Sequence, residues 1–144
     1  MSPHELVQFI RSNRYAVLSS VSSTGKPQAA LIGIAATDSL EIVFDTVDTS
    51  RKFINLCANP MVSLVIGGFV PGDERTVQYE GVADQPQGRE LDRLKAIYYE
   101  TFPEGKQRLG WQGLVYFRVT PSWIRYSDFN VNPPLIQEFA TTGI

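Results

Sequence analysis

The chain has 144 residues, enough for one domain spanning 1–144 and too few for two of ordinary size. Hydrophobic residues at 43% and charged residues at 19% are the proportions of a folded chain and exclude a disordered one. With 13 Lys+Arg against 15 Asp+Glu there is no basic field to hold a phosphate backbone, so nucleic acid is not an expected partner.

Ser2-Pro3-His4-Glu5 opens a helix: a serine cap with glutamate three residues later forms a capping box, and proline suits the first helical position. Leu6, Phe9 and Ile10 then share a face. From Tyr15 the period becomes two, and Tyr15–Val21 reads as a strand closed by the Thr24-Gly-Lys-Pro27 turn. Gln28–Ala36 is a nearly continuous apolar run, broken at Thr37-Asp-Ser39 and followed by a third strand, Leu40–Thr46. Short turns between these three predict an antiparallel meander. Thr49–Ala58 is helical in pattern, with Phe53, Leu56 and Cys57 on its apolar face, and Asn59-Pro60 ends it. Met61–Ile66 and Arg75–Ala83 are strands, Gln87–Phe102 is a second long helix, and the segment around Pro103–Gly105 is a polar loop. Leu114–Val119 and Trp123–Tyr126 give two closing strands around Pro121, and the tail after Phe129 has no regular structure of its own. The expected fold is mostly β: a six- to seven-stranded antiparallel barrel, closed or partly closed, with peripheral helices. Closure removes the exposed edges that such short strands would otherwise present.

One cysteine, Cys57, cannot form an intramolecular disulfide, and Met1–Arg14 carries no apolar targeting core. No segment approaches the roughly 20 apolar residues of a membrane helix. A cytoplasmic protein with no membrane partner is expected. After its own core is filled, a chain of this length has little room for an internal cavity, so a sizeable ligand belongs at an edge or between subunits. One histidine, His4, and one cysteine cannot assemble a metal site, nor is there a Ser-His-Asp set. His4 reads as a surface residue, and Cys57 as core. Trp111 and Trp123 read as core or interface, with stacking on a bound ring as the alternative.

The most informative stretch is Phe44-Asp45-Thr46-Val-Asp-Thr-Ser50-Arg51-Lys52. A strand ends, and a helix begins with a hydroxyl, a guanidinium and an ammonium in succession. The first turn of a helix offers unpaired N–H groups and a positive dipole end, where phosphate binds and cations are unfavourable. Arg51 and Lys52 are therefore placed for an external anion; two solvated cations beside a Thr49 or Ser50 cap would give the same spacing.

The order of these features resembles the pyridoxamine 5'-phosphate oxidase-like family: strand, Gly-Lys-Pro turn, apolar strand, strand ending Phe44-x-Thr46, Ser50-Arg51-Lys52 opening a helix, then Leu56-x-x-Asn59-Pro60 and a new strand. Arg75-x-Val77-x-Tyr79-Glu80-Gly81 adds a further match, and the resemblance runs from Leu6 to Asp128. It implies an FMN-binding split β-barrel that works as a homodimer with flavin sites at the subunit interface. Ser50, Arg51 and Lys52 would hold the 5'-phosphate, with Thr46 close to the phosphate or ribityl chain. Ala30, Leu31, Ile32 and Gly33 would lie along the flavin edge, Phe44 and Asp45 near it, and Gln78 would supply the contact of the fifth strand.

Where the family's substrate-gripping segment ends in Arg-x-His-x-Arg, this chain reads Trp123-Ile-Arg-Tyr-Ser-Asp128-Phe129-Asn130, without that histidine and arginine pair. The resemblance therefore turns toward small general-stress and flavin-reductase-like members, whose substrates vary. It implies an FMN-dependent oxidoreductase transferring hydride to or from an unidentified small molecule. The alternatives are a reductase using the deazaflavin F420, a non-catalytic flavin-binding stress protein, and a barrel that has lost its cofactor and serves as an interaction module. The absence of tuned acids and bases suits a protein whose chemistry belongs to its cofactor.

Overall fold

The computed structural model describes residues 1–141. Helix α1 (Pro3–Ser12) carries the expected capping box: Glu5 N–H donates to Ser2 Oγ at 3.1 Å and Ser2 N–H donates to Glu5 Oε2 at 2.6 Å. The Ser2 amide holds the Glu5 carboxyl below its ordinary range. Leu6, Val7, Phe9 and Ile10 are buried, so α1 lays its apolar stripe against the sheet.

The strands are β1 (Tyr15–Val21), β2 (Pro27–Gly33), β3 (Ala35–Ala36), β4 (Ile42–Val47), β5 (Met61–Gly67), β6 (Arg75–Asp84), β7 (Leu114–Asp128) and β8 (Leu135–Phe139), with helices α2 (Arg51–Ala58) and α3 (Gly88–Thr101) between them. All pairings are antiparallel, in one sheet ordered β2-β1-β5-β6-β7-β4-β3, with β8 on β7. The sheet curls on itself: Ile32 from one end and Phe44 from near the other lie in the same buried cluster, with Leu18, Leu64, Tyr79 and Ile124 between them. The Tyr79 hydroxyl crosses this interior and reaches the Leu40 and Val119 carbonyls at 2.8 and 3.1 Å. A second cluster, Ala35, Val43, Leu94, Tyr98, Phe102 and Tyr116, seats α3 on the outer side of β3, β4 and β7.

Several sequence expectations need correction. The first three expected strands are antiparallel neighbours, but the second is divided. Ile34 separates it into β2, paired with β1, and β3, paired with β4; these two ends of the sheet order are one residue apart in the chain, so this segment itself joins the two borders of the half-barrel. The two closing strands are one, β7. Gly81 pairs with Pro121 and Glu80 with Trp123, which leaves Ser122 as an extra residue that bends the strand without breaking it. Pro103–Gly110 is a 3-10 helix rather than a loop. The tail contributes β8, whose Leu135–Phe139 pair with Asp128–Ile124. Cys57 is exposed, because the buried face of α2 is made by Asn55 and Leu56.

At the bend the two strands nearly touch. A Cβ on Gly81 would stand 2.5 Å from the Thr120 carbonyl and 2.6 Å from Val119 Cγ1. Gly81→Ala should therefore destabilise the protein by about 1–3 kcal/mol through overpacking, while Gly110→Ala, which meets nothing within 4 Å, should be near neutral. Urea unfolding midpoints of the two variants test this; equal midpoints would remove the steric reading of the bend.

Candidate functional site

The site grows from the junction of β4 and α2. Ser50 caps α2: its Oγ accepts from Phe53 N–H at 3.2 Å and from the Thr46 hydroxyl at 2.9 Å. With both acceptor positions used, the Ser50 proton is left to donate outward. No acidic residue stands in the first turn of α2, and Arg51 and Lys52 occupy it instead. The positive helix end, the Ser50 hydroxyl, a guanidinium and an ammonium thus follow one another at one junction.

Beside it lies a cavity of about 210 Å³ lined by Arg51 and Lys52 on one side and by Leu18, Ser20, Gln28, Ala29 and Ala30 of β1 and β2 on the other. Asn55 fixes its geometry. Buried one turn along α2, it donates from Nδ2 to Ser20 Oγ at 3.0 Å and to Gln28 Oε1 at 2.9 Å, tying the helix to both strands. A buried amide is tolerated only when bonded in this way. Asn55 was not singled out from the sequence; the available signal was a polar residue beside Leu56 on a face that should be apolar.

The structure thus brings Arg51, Lys52 and Ala30 to one cavity, with Ser50 and the Thr46 hydroxyl bonded to it at the adjoining helix start. The other expected residues are distributed differently. Ile32 is buried in the core, and the Phe102 ring fills the space where a Gly33 side chain would be. Leu31 points outward, 63% exposed. The Phe44 ring is buried and stacks on Phe117 at 5.5 Å, so only its backbone is free to lie near a ligand. Asp45 alternates to the α3 side, where its carboxylate accepts from Arg108 Nε at 2.9 Å and from the Tyr98 hydroxyl at 3.1 Å. Gln78 sits on the exposed outer face of β6, opposite Val65 and Arg125, and lines a different cavity. His4 is exposed on α1, as expected, and neither tryptophan is buried in the core.

The Asp45, Tyr98 and Arg108 cluster also escaped sequence reading. It pins the 3-10 helix to β4 one residue before Thr46, with the Arg108 guanidinium donating to the Tyr98 oxygen at 3.0 Å as well. Burial first, then the Asp45 charge, push the Tyr98 phenol above its ordinary range.

The model of the family described as pyridoxamine 5'-phosphate oxidase matches residues 2–128. The chain belongs to this family. A pyridoxine/pyridoxamine 5'-phosphate oxidase from Bordetella avium is 34% identical over 94 residues, a stretch that makes up 65% of this chain and 42% of that protein. The match therefore spans less than half the length of that curated relative. Among solved structures, a heme binding protein from Mycobacterium smegmatis superposes with a TM-score of 0.82 at 18% identity, covering 98% of this chain and 59% of the other. A pyridoxamine 5'-phosphate oxidase-related, FMN binding protein from Nostoc punctiforme superposes with a TM-score of 0.70 at 14% identity, covering 93% and 85%. These likenesses show the fold: the half-barrel sheet of this chain is the split barrel of the pyridoxamine 5'-phosphate oxidase family. Among the described residues no helix is long and apolar enough to cross a membrane.

Because its folded pKa is raised, Tyr98 stays protonated in the folded chain while the unfolded chain ionises from about pH 10 upward, so this contribution is complete below that pH and is lost above it. Stability measured by urea unfolding between pH 8 and 11 should fall on the alkaline side, and Tyr98→Phe should flatten that fall. Identical slopes in the two proteins would exclude Tyr98 as a source.

Proposed function

We propose that the chain is an FMN-binding oxidoreductase that acts as a homodimer, transferring hydride between the flavin and a small organic molecule. The observation that carries this reading is the cradle at the start of α2, where two cations occupy the helix end that ordinarily takes acids. The fit to FMN is good on the donor set. Ser50 has a hydroxyl proton uncommitted to the protein, Arg51 and Lys52 supply charge, and Ala29 and Ala30 leave the β2 wall open beside them. When bound, the flavin would supply two-electron chemistry at its ring.

In this reading the chain's own residues bind and orient. Ser50, Arg51 and Lys52 grip the terminal phosphate, Thr46 holds the Ser50 hydroxyl in its donating direction, and Asn55 keeps helix and strands at a fixed separation. The heme bound by the Mycobacterium smegmatis protein remains a property of that protein. Here the histidine stands exposed in the first turn of α1, whereas the cradle is built for an anion.

A dimer is supported by the outer face of the sheet. Strand register aligns Leu31, Val17, Val65, Gln78 and Arg125 in one row across β2, β1, β5, β6 and β7. Leu31 and Val65 expose 63% and 44% of their surface there, a face suited to a second copy. Gln78, which faces away from its own chain's cradle, would then serve the flavin held by the partner subunit.

Arg51→Ala combined with Lys52→Ala should weaken FMN binding by about 3 kcal/mol, roughly a hundredfold, while leaving the affinity for riboflavin, which lacks the phosphate, nearly unchanged. Titrations followed by flavin fluorescence test this, and a loss equal for both flavins would move the phosphate site elsewhere. For the interface, Val65→Asp should convert the dimer to a monomer in sedimentation velocity and lower FMN affinity with it. A wild-type chain that sediments as a monomer with FMN bound would overturn the shared site.

A further inference from the structure

A second cavity, about 420 Å³, opens on the α3 side of the barrel between the N-terminal half of α3 and the segment leading into β7. Its walls include Gln85, Gln87, Lys95, Leu109, Trp111 and Tyr116, and no acidic side chain lines it. In a chain of net charge −2 this lining carries one positive charge.

Three features distinguish it from an ordinary surface hollow. Trp111 and Leu109 are 57% and 51% exposed at its edge, a large apolar area left in water. The indole is nevertheless held: the Arg108 guanidinium lies 6.0 Å from its ring, and that guanidinium is itself locked by Asp45 and Tyr98. The Tyr116 hydroxyl is bonded to that of Tyr99, whereas the amide and ammonium groups are uncommitted. Among the described residues the Lys95 ammonium makes no ion pair and rests 5.4 Å over the Tyr116 ring, and the Gln87 side chain, at the cap of α3, makes no capping bond. An aromatic plate, one unpaired cation and free amides within one hollow match a flat ring bearing a single negative charge.

We propose that this cavity binds a small aromatic carboxylate, its ring against Trp111 and Leu109 and its carboxylate on Lys95. The cavity is joined to the cradle through the β4–β7 ladder: Val115 pairs with Thr46, Leu114 pairs with Val47, and Asp48 N–H donates to the Gly113 carbonyl at 2.9 Å. The two cavities thus border one ladder, yet the lining of this one includes none of the residues that line the other.

Calorimetric titration of the full chain with 1-naphthoate, and with the neutral 1-naphthalenemethanol, tests the assignment. The naphthoate should bind, and the alcohol should bind about tenfold more weakly, since a charge-assisted contact is replaced by a neutral one. Lys95→Met should erase that preference and Lys95→Arg should retain it, while Trp111→Ala should weaken both ligands. Absence of naphthoate binding to folded protein would overturn the proposal, as would a preference that survives Lys95→Met. The same titration on the Arg51→Ala, Lys52→Ala protein separates the two sites: naphthoate binding should persist there, whether or not FMN is the ligand of the cradle.

Discussion

The bend in β7 is the constraint on which the remaining architecture depends. A 15-residue strand cannot follow one sheet edge and still let the sheet roll up unless it turns part-way. Pro121, with no N–H to give the ladder, and the extra residue Ser122 supply the turn, and Gly81 lets β6 approach closely enough to stay paired across it. The first part of β7 can then carry β4, and β4 carries Thr46 to the start of α2. Without that turn, β4 would have no ladder partner at the place where the cradle forms.

At the cradle itself two local preferences conflict. A helix start favours acids, yet α2 begins with Arg51 and Lys52, and its buried face includes the amide of Asn55. Neither choice helps the isolated helix. Both are explained if the helix end is shaped around an external anion, with Asn55 satisfying Ser20 and Gln28 so that the wall opposite stays in place. Departures from local rules concentrate at sites in this manner.

Much of the fold was legible because it followed from period and punctuation. The capping box at Ser2, the alternation of Arg75–Ala83 and the Asn59-Pro60 stop each have a local cause, and each appears in the structure near the expected position. What escaped was nonlocal. That the segment 27–36 changes partner at Ile34, from β1 to β4, depends on the curl of the whole sheet, and that Leu135–Phe139 becomes a strand depends on β7 offering it an edge. The candidate site divides in the same manner. Ser50, Arg51 and Lys52 could be read from a strand-to-helix junction, whereas the Arg108 contact with Asp45 joins residues 63 apart in sequence, and no short pattern marks it. Phe44 and Asp45 fell within a readable motif, but strand alternation sends one ring into the core and the neighbouring carboxylate toward α3.

One edge of β7 is divided between two partners: β4 takes Leu114–Val119, and β8 takes Ile124–Asp128. The two halves differ in what holds them. β4 is locked between ladder and core, while β8 lies on the rim with Leu135 and Ile136 exposed and the Arg125–Glu138 pair at its surface. β8 nevertheless meets the core at one end, through Phe139, and Gln137 ties it to Met1 ahead of α1. The stretch of β7 edge that β4 leaves free is in this way covered by the chain's own segment and not presented for pairing with another chain.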